Sequence, residues 1–143
     1  LILHPRLRNS HCSLHPLRNR QDLVFHYAVP GFSFDASGYI LLQVDAPVLS
    51  PEDSELPLLL LDSTWRLLPQ LEGKLYGDPR LRSLPQTVRT AYPRVSKVTQ
   101  DPIRGLASVE ALFLARHIQG RTDLSLLEDY HWKTDFLRQF NDL

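Results

Sequence analysis

Apolar residues fall along this chain in short bursts whose spacing predicts the elements. Leu58, Leu59, Leu60 and Leu61 form an unbroken run closed by Asp62. Continuous hydrophobicity without alternation suits a strand covered on both faces, which predicts a parallel sheet and places Asp62 at its carboxyl edge. Residues 23–27 and 39–44 also read as strands, and residues 1–3 as the end of another. Between the first two stand Pro30, Gly31, Ser37 and Gly38, turn residues that predict a hairpin-like or meandering first part. Val109, Leu112, Phe113 and Arg116 follow Ser108 at helical spacing and Gly120 stops them, so residues 109–119 are predicted to be a helix. Behind Ser125, a possible cap, Leu127, Tyr130, Phe136, Leu137 and Phe140 recur at three- and four-residue steps, predicting a closing amphipathic helix broken near His131-Trp132.

The remaining segments set the fold class. Ser63 or Thr64 can cap a short helix over residues 65–71, which Pro69 interrupts or ends. Gly77, Pro79 and Pro85 predict an irregular stretch over residues 73–85, and residues 88–91 read as a further short strand. Strands alternating with helices in the second half favour α/β over α+β. Pro47, Ser50 and Pro51, ahead of Glu52 and Asp53, mark a loop or a short capped helix. The boundary drawn there separates a small β-containing amino-terminal subdomain, residues 1–50, from residues 51–143.

Composition narrows the class. A chain of 143 residues, 43% hydrophobic and 22% charged, has the size and usage of one globular domain. One cysteine, Cys12, excludes an intramolecular disulfide and a multi-cysteine zinc site, which fits a reducing compartment and leads us to expect a cytoplasmic protein. The leucine run is much shorter than the ~20 residues of a membrane helix, so no membrane partner is expected. Sixteen basic residues balance sixteen acidic ones, but the signs are segregated. Arg6, Arg8, Arg18 and Arg20 precede any acid, residues 21–65 carry acids without a single Lys or Arg, and basic residues dominate again from Arg66 to Arg104. If the two basic segments share a face, that face attracts a polyanion; otherwise the blocks pair as solvated surface charge.

Two short motifs can carry chemistry. Asp62-Ser63-Thr64-Trp65 follows a buried strand, where ligands gather in open α/β sheets. There Asp62 can abstract a proton or hold a ligand, and Trp65 offers a flat face; equally, Asp62 can cap a helix and Trp65 can pack in the core. Gly105-Leu106-Ala107-Ser108-Val109-Glu110 leads small residues into a helix start, which admits close backbone approach by a ligand, with Glu110 as an ordinary first-turn acid. His11, Cys12 and His15 fall short of a metal site, and no metal is expected. There is no dinucleotide or phosphate-loop motif.

Taken together, five ordered segments resemble one family. They are Val48-Leu49-Ser50-Pro51-Glu52-Asp53, Leu60-Leu61-Asp62-Ser63-Thr64-Trp65, Arg82-Ser83-Leu84-Pro85, Leu106-Ala107-Ser108-Val109-Glu110-Ala111-Leu112, and Trp132 with Phe136-Leu137 and Asn141. They are similar to the Val-Leu-Ser-Pro-x-Asp, Val-Asp-Cys-Ser-Trp, Arg-x-Leu-Pro, Leu-Ser-Cys-Val-Glu-Ala-Leu and Trp-Gly-x-x-Phe-Leu motifs of the aminocarboxypropyltransferases of ribosome biogenesis. Those enzymes modify a pseudouridine in small-subunit ribosomal RNA. His4-Pro5 and His11-Cys12-Ser13 resemble the family's amino-terminal His-Pro-Lys-Lys-Cys-Thr with an insertion. Asp62-Ser63-Thr64-Trp65 is also similar to the DTW-domain enzymes, which make the same modification on transfer RNA.

The resemblance implies an α/β fold of SPOUT type with a carboxy-terminal trefoil knot behind the small amino-terminal subdomain. It implies S-adenosylmethionine as co-substrate, with its aminocarboxypropyl arm facing a uridine or pseudouridine of ribosomal RNA, a pre-ribosomal particle or, alternatively, transfer RNA. By the same carry-over Ser13, Leu61, Trp65, Leu84, Ala107 and Ser108 surround the co-substrate, and Asp62 is the general base or a hydrogen-bond partner of the acceptor. Arg6, Arg8, Arg18, Arg20 and Arg66 are the expected RNA contacts. Two departures stand out: Ala107 occupies a position where the family has Ser, and Thr90-Ala91-Tyr92-Pro93-Arg94 replaces its Ala-Asn-Pro-x-Asn-Tyr-Gly segment. Two other functions fit the same residues, a SPOUT methyltransferase using S-adenosylmethionine on RNA and a non-catalytic ribosome-assembly factor.

Overall fold

In the computed structural model, residues 2–3, 14–62, 67–91 and 106–140 are described. The strands are β1 (Ile2–Leu3), β2 (His26–Tyr27), β3 (Phe34–Asp35), β4 (Ile40–Leu42), β5 (Leu58–Leu59), β6 (Leu61–Asp62), β7 (Leu75–Tyr76) and β8 (Arg80–Arg82). The helices are α1 (Leu68–Glu72), α2 (Ser108–Ile118) and α3 (Lys133–Leu137), with 3-10 turns at His15–Leu17, Pro51–Asp53 and Leu124–Leu127.

The leucine run joins two ladders. β5 pairs with β4, which pairs in turn with β8; β6 pairs with β1, which pairs in turn with β2. A third ladder joins β3 to β7, and every strand pairing among the described residues is parallel. Each ladder thus pairs a strand from residues 1–50 with one from beyond them.

Burial along the run alternates between two layers. Leu59 joins Leu41, Ala28, Ala36 and Leu71 on the side of α1, whereas Leu60 joins Val109, Leu112, Phe113, Leu126, Leu127 and Phe136 on the side of α2. Ile40, Leu49 and Ala115 extend the α2 layer. A sheet covered on both faces is what four consecutive leucines require, each buried leucine adding roughly 1.5–3 kcal/mol relative to exposure. The mixed α/β class follows from this two-sided cover.

Several expected elements differ in the structure. The first part is not a hairpin, because β2 and β4 do not pair with one another. Between them Gly31 and Gly38, at φ +86° and +82°, bracket β3, which pairs with β7 instead. Residues 73–85 are not irregular throughout, for they hold β7 and β8. Gly77, at φ +89°, makes the turn between those strands, and Pro79 stands just ahead of β8, where it removes no hydrogen bond from the ladder interior. Residues 88–91 form no strand. Side chains of the helical layer take their polar groups: Arg89 N donates to Gln139 Oε1 at 2.8 Å, and Ala91 N donates to Glu110 at 2.9 Å.

The helices begin and end close to expectation. α1 starts later than residue 65 and carries Pro69 in its first turn, where a missing N–H costs nothing. The closing segment divides into Leu124–Leu127 and α3, and Asp123 rather than Ser125 caps the former by accepting from Ser125 N at 3.0 Å. In α2 burial runs past one stripe, since Val109 through Ala115 are all buried. Its far end is tied down by Gln119, whose side-chain amide donates to the carbonyls of Asp53 and Leu56.

Candidate active site

β6 and α2 meet end to start, so the last residue of one and the first of the other, distant in sequence, become neighbours. β6 carries Asp62 to the carboxyl edge of its ladder, and α2 opens with Ser108 beside it. The Ser108 hydroxyl donates to Asp62 Oδ1 at 2.6 Å. Asp62 is 7% exposed, and a carboxylate so placed must be hydrogen-bonded to be tolerated. The bond brings together one residue from each of the two motifs on which the expected chemistry rests.

Two residues further along the helix, a second acid organises the same corner. Glu110 is wholly buried and accepts four hydrogen bonds: from Thr90 Oγ1 at 2.6 Å, Ala107 N at 2.7 Å, Ala91 N at 2.9 Å and Tyr130 Oη at 3.0 Å. The bond to Ala107 N satisfies an amide at the helix start, half of a capping box; Ala107 has no side-chain oxygen to supply the other half. Glu110 therefore does more than complement the helix dipole. It pins the 90–91 segment and Tyr130 to the turn that opens α2. First-turn position was legible in sequence, but burial on all sides was not.

The expected site residues are distributed as follows. Asp62, Ala107 and Ser108 share the corner just described. Leu84 packs on the α2 layer together with Leu106, Val88 and Ala91, while the Leu61 side chain lies in the α1 layer. Ser13, Trp65, Arg6, Arg8 and Arg66 lie outside the described residues, as do His11 and Cys12. Among the described residues no three metal-ligating side chains converge.

The two remaining arginines differ sharply. Arg18 is exposed, its guanidinium 2.8 Å from His15 Nε2. Arg20 is turned inward, donating to both oxygens of Asp22 at 2.9 Å, to Asp123 at 2.8 Å and to Ser125 Oγ at 2.9 Å. Arg116 of α2 completes the group by donating to Asp22 at 2.9 Å. Hydrogen bonds from Arg20 and then Arg116 hold the Asp22 carboxyl well below the usual carboxylate range, and the same pairing raises the Arg20 guanidinium. The group fastens the chain ahead of β2 to α2 and to the turn at Leu124–Leu127.

A third buried carboxylate lies away from this corner. Asp53 accepts from Arg80 at 3.0 Å, from Arg82 at 3.1 Å and from Ser50 N at 3.1 Å, binding the Pro51–Asp53 turn to β8. With its acceptors so filled, it belongs to the scaffold.

No family model matches the sequence, and no curated protein matches it either. Among solved structures it is similar to a SAM-dependent rRNA:acp-transferase, Tsr3 from Vulcanisaeta distributa, at a TM-score of 0.71. The similarity covers 96% of this chain and 76% of that one at 23% identity. The two share a fold.

Proposed function

We propose that this chain is an RNA-modifying transferase that moves the aminocarboxypropyl group of S-adenosylmethionine onto a uridine or pseudouridine, with ribosomal RNA or a pre-ribosomal particle as acceptor. The observation that carries the reading is the bond between Ser108 and Asp62, which sets a carboxylate against a helix start at the carboxyl edge of a parallel sheet. Its setting supports it, a fold shared along nearly the whole chain with a SAM-dependent rRNA:acp-transferase. On this reading the fold is of SPOUT type with a carboxy-terminal trefoil knot, residues 1–50 form the smaller subdomain, and the protein acts in the cytoplasm.

The residues present suit the co-substrate by their chemistry. Leu84 and Leu106 provide partly buried apolar surface beside α2, and Ala107 leaves its backbone approachable. Leu61, Ser108 and, beyond the described residues, Ser13 and Trp65 complete the proposed contacts. When bound, S-adenosylmethionine supplies an activated carbon on its amino-acid arm and leaves as methylthioadenosine.

What the chain itself does is hold and deprotonate the acceptor. The imide N–H of a uracil ring is weakly acidic, and a carboxylate in hydrogen-bond reach accepts its proton as the nitrogen becomes nucleophilic. Ser108 fixes the orientation of Asp62 while this happens. Because the leaving group is already good, positioning supplies most of the acceleration. Arg18, with Arg6, Arg8 and Arg66, would meet the phosphates, and Arg20 would support them from its ion pairs.

The test is incubation of the full chain with S-adenosylmethionine and ribosomal or transfer RNA, followed by mass spectrometry of the nucleosides. An aminocarboxypropyl adduct is expected. A methyl adduct would make the protein a methyltransferase on the same fold, and failure to bind S-adenosylmethionine by calorimetry would make it a non-catalytic assembly factor.

A further inference from the structure

Tyr27 ends β2, and the parallel registers carry its row across the sheet: Tyr27 lies beside Leu3, and Leu3 beside Asp62. In-register residues of a parallel ladder project to one face, and neighbouring strands are about 4.8 Å apart, so Tyr27 and Asp62 stand about 10 Å from each other on the same face. Alternation along β2 leads independently to the same assignment. Phe25 packs on the Phe113 cluster of the α2 layer, whereas Ala28 is buried in the α1 layer and the His26 ring meets Phe32 and Phe34, which pack there too. Tyr27 therefore shares the α2 side with Phe25 and Asp62.

Phe25 is partly covered by the core, but two positions later Tyr27 is 51% exposed and has no ring partner among the described residues. It stands at the carboxyl end of a strand, one strand removed from the acid to which the chemistry is assigned. An exposed, flat ring in such a place is the kind of surface on which single-stranded nucleic acid stacks a base.

We propose that Tyr27 is a stacking platform for a base of the acceptor RNA strand, next to the position where Asp62 meets the reacting nucleotide. The proposal deepens the RNA-modifying reading and rests on it. A separation of about 10 Å is short enough for one RNA strand to meet Asp62 with the reacting nucleotide and Tyr27 with a neighbouring base. Exposed Arg18, in the turn ahead of β2, adds a cation of the sign that a phosphate backbone needs.

The experiment measures binding of a uridine-containing single-stranded oligoribonucleotide to the full chain by fluorescence anisotropy, beside S-adenosylmethionine binding by calorimetry. Tyr27→Ala and Tyr27→Leu are expected to weaken RNA binding about tenfold or more, while Tyr27→Phe stays within about twofold of the parent. S-adenosylmethionine affinity is expected to be unchanged in all three. A Tyr27→Leu variant that binds RNA like the parent overturns stacking, since leucine keeps apolar contact but lacks the flat ring. Equal RNA affinity in Tyr27→Ala overturns any contact. These outcomes are separate from the proposed activity, whose failure would show as absence of nucleoside adduct in the parent protein itself.

Discussion

Ser108 reaches back 46 residues to Asp62, its hydroxyl 2.6 Å from Oδ1, and so ties the first turn of α2 to the last residue of β6. On the proposed reading Asp62 accepts a proton, and a carboxylate with that task gains from being held by the serine. Asp62→Asn keeps the shape and removes the basic oxygen. It is expected to abolish transfer and spare S-adenosylmethionine binding, as read by nucleoside mass spectrometry and calorimetry. Ser108→Ala is expected to lower kcat about 10–100-fold, the worth of one hydrogen bond to a charged group. An Asp62→Asn enzyme with normal turnover would remove Asp62 as the base.

Glu110 gathers four donors at one buried carboxylate. Glu110→Gln replaces one acceptor oxygen with an amide donor, so at least one of those donors faces another. The expected cost is about 1–3 kcal/mol, seen as a fall of several degrees in the thermal midpoint. A midpoint unchanged to within experimental scatter would mean that the network does not hold the corner together.

Acid should loosen the link between Asp53 and β8. Burial opposes ionisation of Asp53, but the Ser50 amide, Arg82 and Arg80 outweigh it and keep its carboxyl below the ordinary value. A carboxyl lowered in the folded state binds fewer protons there than in the unfolded chain. The stability it lends is complete above the unfolded value, near about pH 4, and is lost as pH falls through the folded one. Melting temperature is therefore expected to drop below about pH 4, with a shallower acid slope in Asp53→Asn. Asp22, Asp123 and Asp35, lowered by their own partners, contribute to the slope that remains.

Phe113 is fully buried and meets Phe136 and Phe140 edge-on, at ring separations of 6.2 and 6.1 Å. Truncation removes the ring that joins α2 to the closing segment. Phe113→Ala is expected to cost about 3–5 kcal/mol, measurable by urea unfolding. A loss below about 1 kcal/mol would show that the layer can collapse around the cavity.

Much of the local architecture was legible in sequence. The leucine run announced a strand covered on both faces, and the spacing behind Ser108 announced α2 almost to the residue. Proline and glycine misled where tertiary pairing overrode them: β7 and β8 flank Gly77 and Pro79 in a segment whose composition reads as loop. Residues 88–91 have strand-forming side chains, but their backbone groups bond to Glu110 and Gln139 rather than to a neighbouring strand. Arg20 read as a surface cation because the acids that engage it include one about a hundred positions away.

Solvent and sterics act on each residue where it stands, so order along the chain was enough to mark the apolar strand region that ends at Asp62 and the helix α2. Pairing is different, because it depends on the relative energies of contacts between segments many residues apart, which no local window contains. The parallel registers, the full enclosure of Glu110 and the placing of Tyr27 on the same face as Asp62 were decided only when the layers closed around α2.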